Sequence, residues 1–183
     1  DVSLNNILVA GTAAGTNAQE VQTTGKIIVK DVKSSGTTGN GANFDNSAGT
    51  ATVTVTNSQF NNNTNAGLKV KSKGIITLTD VIANNNTSNG ATLENNVGAS
   101  VSAVSLTGTN IFSNNNSSGL VISSFGAITA SNVFANSNAI YGAYIFNSNS
   151  ILPAAISLTG TNHFKYNGTG LYVSSKGQIT MSN

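Results

Sequence analysis

Apolar and polar side chains alternate along this chain in short bursts, and the bursts recur in a fixed order. One set places Val53 and Val55, Ile76 and Leu78, Val104 and Leu106, Ile128 and Ala130, Ile156 and Leu158, and Ile179 and Met181 on one face. A period of two over so few residues predicts strands with one buried face. A second set carries one bulky residue per burst, expected inward: Phe60, Ile82, Phe112, Phe134 and Phe164. A third set follows a glycine and pairs Leu68 with Val70, Ala91 with Leu93, Leu120 with Ile122, Ala143 with Ile145, and Leu171 with Val173. Abundant Asn, Gly, Thr and Ser argue against helices. No two-residue turn joins the bursts where a hairpin would need one.

The bursts belong to a repeat. Gly74, Gly126 and Gly177 close similar stretches 52 and 51 residues apart, and Gly90 and Gly142 open others 52 apart. Each unit holds two halves: Leu106–Phe112 is echoed by Ile128–Phe134, with Phe164 next in the series. The expected fold is all-β, a parallel solenoid of about seven coils alternating between about 22 and about 30 residues, with three short strands per coil. The extra residues fall in loops at Asp45–Thr52, Glu94–Ala103 and Phe146–Ala155. At about 4.8 Å per coil the rod would be roughly 35 Å long. Asn62, Asn84, Asn114 and Asn136 are expected to form a side-chain ladder, broken at Tyr166. Residues 1–183 read as one segment of a longer array, with units at about 1–49, 50–98, 99–150 and an incomplete 151–183.

With Leu106-Thr-Gly-Thr-Asn-Ile-Phe112, Asn114-Asn115 and Gly119-Leu-Val-Ile122 as its fullest copy, the pattern resembles right-handed parallel β-helix repeat proteins. Right-handed crossovers are also the default for parallel strands. That family includes pectin-cleaving enzymes, phage tailspikes, autotransporter passengers and bacterial surface adhesins. The enzymatic members are known for calcium-holding aspartates with a basic residue, usually arginine, or for NTD, paired-aspartate and GHG segments. None of these is present here. The regular Asn/Thr-rich coils look most like surface adhesin and fibre arrays.

Charge sharpens that view. Only 8% of residues are charged, against about a quarter in ordinary soluble domains. All eight basic residues are lysines, and a formal charge of +2 argues against nucleic acid as a partner. No apolar run is long enough for membrane insertion. Without cysteine there is neither a disulfide framework nor a thiolate metal site. Lys69, Lys71 and Lys73 read as a solvated strand face.

The candidates for chemistry are the six acidic residues and the single histidine. Asp31 and Asp80 occupy equivalent places, continued by Asn132 and Asn183, which marks a turn where Asp and Asn serve alike. Asp45 and Glu94 form a similar pair whose next equivalent is Phe146. His163 stands beside the inward Phe164 and should face outward. No catalytic, cofactor-binding or metal-ligating residue is assigned, and no cofactor is expected. Sequons at Asn62, Asn85, Asn115, Asn116 and Asn167 lie in turns.

Two outward features are regular. Thr54, Thr77, Ser105, Thr129, Ser157 and Thr180 form one hydroxyl column, with Thr56, Thr79, Thr107, Ser131, Thr159 and Ser182 beside it. Such a ladder suits cheap hydration of a strand face, with ice binding as a minor alternative. The chain opens and closes on strand-like segments, and is expected to continue into neighbouring repeats or to stack end to end. The expected function is a non-enzymatic structural or adhesive module of an extracellular, cell-surface or secreted bacterial protein, with surface glycans as further partners. The alternative is a carbohydrate-binding or carbohydrate-cleaving β-helix whose active coils lie elsewhere.

Overall fold

The computed structural model describes residues 1–182 and shows a parallel β-solenoid of about seven turns. First strands Val2–Asn5, Ile27–Lys30, Val53–Asn61, Ile76–Ile82, Val104–Thr107, Ile128–Ser131, Ile156–Thr159 and Ile179–Met181 stack in chain order. Third strands Glu20–Gln22, Ala42–Asn46, Leu68–Ser72, Ala91–Asn95, Leu120–Ser124, Tyr141–Phe146 and Thr169–Ser174 make a second wall. Every named pairing is parallel and joins one coil to the next, as in Val53–Ile76 and Ile76–Val104. Short and long coils alternate: along the third strands the offsets from Leu68 to Ala91, Leu120, Ala143 and Leu171 are 23, 29, 23 and 28 residues.

The three strands per coil do not make three sheets: the first and second ladders join into one 12-stranded sheet, leaving the third as a separate 7-stranded one. The join comes from Val53–Asn61 and Ile76–Ile82, which run through the corner without a break. Elsewhere the second strand is a scrap such as Asn110–Ile111 or Val133–Phe134.

The inward residues of the first and third strands are those that the alternation predicts, from Val53 and Val55 to Ile156 and Leu158. The exception is the last strand, where Ile179 and Met181 are exposed because no described coil covers them. The second strand departs from expectation. Phe60 and Phe112 are fully buried, but Ile82 and Phe134 are not; Ala83 and Ala135 take the inward places beside them. The core column therefore runs Phe60, Ala83, Phe112, Ala135, Phe164, with large and small side chains alternating. A phenylalanine ring is thick enough to fill space above an alanine, so one ring every second coil closes this corner.

Two corner lengths explain the slip at Phe134. At Ile82 the corner is the same length as that before Phe60, and the inward place falls one residue later, on Ala83. At Asp31, Asn57, Asp80 and Asn132 one left-handed residue turns the chain. At Gly108 and Gly160 the turn holds one residue more, and Asn110 and Asn162 turn inward to accept the Val81 and Val133 N–H groups. Phe112 thus stands six residues after Leu106, whereas its counterpart Ala135 stands five after Ala130. Because strand faces have period two, a single residue reverses inside and outside.

The asparagine ladder is also displaced, by one residue. Asn62, Asn85, Asn114, Ser137 and Tyr166 are the left-handed corner residues and point to solvent. The ladder lies next to them, in Asn63, Asn86, Asn115, Asn138 and Asn167. Each Nδ2 donates to the following Oδ1 at 3.0 Å, and the Thr37 hydroxyl donates to Asn63 at 2.8 Å. The same Oδ1 atoms accept backbone N–H groups from the preceding coil, and the second amide hydrogens reach carbonyls such as Phe60 O and Ala83 O. Tyr166 does not interrupt it. Asn84 and Asn136 instead belong to an outer series in which their Oδ1 atoms accept the Ser113 and Lys165 N–H groups.

Glycines make room for this ladder. A Cβ on Gly67 would lie 2.7 Å from Asn86 Nδ2 and 2.6 Å from the Phe60 carbonyl, and Gly41, Gly90, Gly119 and Gly142 sit against ladder amides in the same way.

Asn115→Ala strands the Asn86 side-chain and backbone donors and the Ala83 carbonyl. At about 1–3 kcal/mol for each unsatisfied buried group, a loss of about 3 kcal/mol or more is expected in urea unfolding. Asn114→Gly, one residue away at the exposed corner, should change stability by less than about 0.5 kcal/mol. Gly67→Ala should cost about 1–3 kcal/mol through overpacking.

Candidate functional site

The core consumes every inward position, so function must lie on outward side chains, corners and loops. The first sheet carries the two hydroxyl columns in register, Thr54 beside Thr77 and Thr56 beside Thr79. Thr79 and Thr107 hydroxyls bond to one another at 2.9 Å, and Thr129 donates to Ser105 at 3.3 Å. In the first two coils the columns start with Ser3 and Asn5 and continue through Ile28 and Lys30, which pair with Thr54 and Thr56.

The acidic pairs separate cleanly. Asp31 and Asp80 are both left-handed corner residues, with φ of 54° and 55°, and Asn132 at 50° matches them. Asp80 accepts the Thr109 N–H at 2.8 Å, and Asn132 accepts Thr161 N–H at 3.0 Å. The carboxylate and the amide do one structural task. Asn183 lies outside the described residues. Asp45 and Glu94 stand on the outer face of the wall of third strands with Lys71 paired between them. Lys69 lies 3.8 Å from Glu94. The lysine run is thus interleaved with acid rather than gathered into a cationic patch.

Burial pushes the Asp45 carboxyl upward, but two hydrogen bonds from Ser47 and the charges of Lys71 and Lys69 outweigh it, leaving its pKa below the ordinary value. Its backbone partner, Ser47 N–H, donates at 2.7 Å.

His163 faces outward, opposite Phe134, with ring centroids 4.9 Å apart. Among the described residues no three His, Cys, Asp or Glu side chains gather as a metal site. Sequons divide into two kinds: Asn62, Asn85 and Asn116 are exposed, whereas Asn115 and Asn167 belong to the ladder.

All three long loops leave the third strand and return to the first, so they protrude at one corner. Asn46, Asn95 and Asn147 are buried at their bases. Asn95 Nδ2 donates to the Ser72 and Gly74 carbonyls, and Asn147 Nδ2 to those of Gly126 and Ala154. Ile151 and Leu152 are each 57% exposed, while Ile156 is in the core.

The tyrosine cluster on the third strands, and the exposure of Tyr166, are what sequence reading missed. The same outer face that bears Asp45, Lys71 and Glu94 in its early coils carries Tyr144, Phe146 and Tyr172 in the last two. Tyr144 and Tyr172 stack with centroids 4.6 Å apart and planes 9° from parallel, and Tyr141 meets Tyr144 at 5.0 Å. Tyr166 stands at the corner, 86% exposed. It has φ of 59°, where earlier coils place Gly36, Asn62, Asn85, Asn114 and Ser137. A left-handed conformation costs a bulky residue about 1–2 kcal/mol. Beside it lies an open cleft of about 380 Å³ lined by Asn114, Asn116, Ser137 and Ala139 among others. The signal was available: all four tyrosines fall between positions 141 and 172.

No protein-family model, curated protein or solved structure matches the chain.

Asp45 gives a pH signature. A lowered folded-state pKa contributes stability that is present above the unfolded carboxylate value of about 3.9 and fades as pH falls through the folded value. Asp45→Asn should therefore lower the urea midpoint slightly at pH 7 and leave it unchanged at a pH below the folded pKa. An equal loss at both pH values would assign the effect to packing.

Proposed function

We propose that this chain is a non-enzymatic structural and adhesive module of an extracellular surface or filament protein. It acts as a stiff rod that spaces and presents outward contact faces. The observation that carries this reading is the buried amide ladder, continuous from Thr37 to Asn167 alongside an unbroken apolar core. Each coil is held by its neighbours through backbone bonds, side-chain bonds and packing at once, the nearest-neighbour arrangement that makes solenoids rigid along their axis. Location outside the cell rests on the resemblance to surface adhesin arrays.

The faces of the stack support end-to-end contact. Leu158, Phe164, Leu171 and Met181 line a depression of about 250 Å³ at the C-terminal face. Leu4, Ile7 and Val21 are only partly buried at the other face. Parallel strand edges and apolar side chains at both faces suit a further coil, supplied by neighbouring repeats or by a second copy.

X-ray scattering over a concentration series tests the rod. The cross-section should stay constant while the longest dimension grows with concentration, and Leu171→Lys should suppress that growth. A longest dimension that stays fixed over the series would sink the stacking part of the proposal. New reducing or unsaturated ends, released from a polysaccharide panel, would sink the non-enzymatic part.

A further inference from the structure

We infer that the cleft beside Tyr166 binds the pyranose ring of a neutral sugar, which rests on the adhesive part of the function proposed above and gives it a ligand class. Three observations converge on it. Tyr166 is the most exposed of the large apolar and aromatic side chains that stand out from the surface, and it holds a left-handed backbone that asparagine or glycine adopts more readily. Its ring is therefore kept at this corner against local preference, and the hydrogen bonds of the stack do not require it: the ladder passes through Asn167. An observed backbone outlier of this kind is a reason to look for function.

The cleft supplies the second observation. Successive coils contribute Asn114 and Asn116, then Ser137 and Ala139, then Tyr166, around a volume of about 380 Å³. That is within the range of small-ligand sites. The Asn114 and Asn116 side chains are exposed and make no hydrogen bond within the described residues. Each amide offers both donors and an acceptor, the pattern that matches vicinal hydroxyl groups. A pyranose has a C–H face for the tyrosine ring and a hydroxyl rim for the amides.

The third observation is charge. No ionisable group other than the Tyr166 phenol lines the cleft, so nothing there pairs with a phosphate or a carboxylate. Lys165, adjacent to Tyr166 in sequence, is exposed and is not among the residues that line the cleft. Nucleic acid and acidic peptides are poor fits on these grounds.

The test uses the whole chain and free sugars, so its outcome does not depend on whether the rod stacks. Saturation-transfer NMR would be run with the methyl glycosides of glucose, galactose, mannose and N-acetylglucosamine, and with methyl glucuronoside as an anionic control. Transfer to ring C–H protons of at least one neutral glycoside is expected, with Kd on the order of millimolar. Tyr166→Asn should weaken that binding about tenfold or more while raising the thermal midpoint, because asparagine suits the left-handed corner. Tyr166→Phe should retain most of the binding. Tyr144→Ala combined with Tyr172→Ala should leave it unchanged. The proposal is overturned if no neutral glycoside shows transfer, if only the glucuronoside binds, or if Tyr166→Asn binds normally. Loss of binding in the Tyr144/Tyr172 variant while the Tyr166→Asn variant still binds would also overturn it, moving the site to the wall of third strands.

Discussion

A buried corner in a solenoid must satisfy backbone N–H and carbonyl groups that no strand pairs, and here one asparagine per coil does so. Its Oδ1 takes two donors from the coil before, and its Nδ2 gives one hydrogen forward and one back. Leaving such groups unpaired would cost more than a typical hydrogen bond returns, so the amide column and the stack stand together. The glycine that opens each third strand follows from the same constraint, since a Cβ on Gly90 or Gly142 would meet a ladder amide within 2.7 Å. Core, corner and strand start are thus fixed by one repeated contact.

The coarse architecture was legible because period two is unambiguous in Val53-Thr-Val55 or Leu120-Val-Ile122. The ladder was misplaced for a physical reason. Left-handed corners and inward ladder positions both favour asparagine, and they are adjacent, as in Asn62-Asn63 or Asn114-Asn115. Composition alone does not say which of two neighbours turns inward. The Phe134 error had a different origin: Phe112 and Phe134 occupy similar-looking sequence contexts, but the extra corner residue at Gly108 puts them on opposite faces. Asp31 and Asp80 were read correctly as turn residues because Asn132 replaces them, and their φ values agree.

Outward positions are under no such constraint, which is why the surface changes character along the axis while the interior does not. The wall of third strands passes from Asp45, Lys71 and Glu94 to Tyr144 and Tyr172 over the same backbone and the same inward pattern. Alternation lets a solenoid vary its contacts coil by coil without renegotiating its core. Tyr141, Tyr144 and Tyr172 went unread in the sequence, and Tyr166 was read only as a break in the ladder, because repeat phase brings out what recurs and these residues depart from the repeat.

One property of the ladder reaches beyond packing. In every link the earlier coil donates and the later coil accepts. The side-chain amides are therefore aligned head to tail, and their dipoles add as peptide dipoles do along an α-helix. Hydrogen-bonded chains of this kind also polarise one another. A molecule whose formal charge is only +2 thus carries an axial electrical polarity in its side chains, positive toward the C-terminal face.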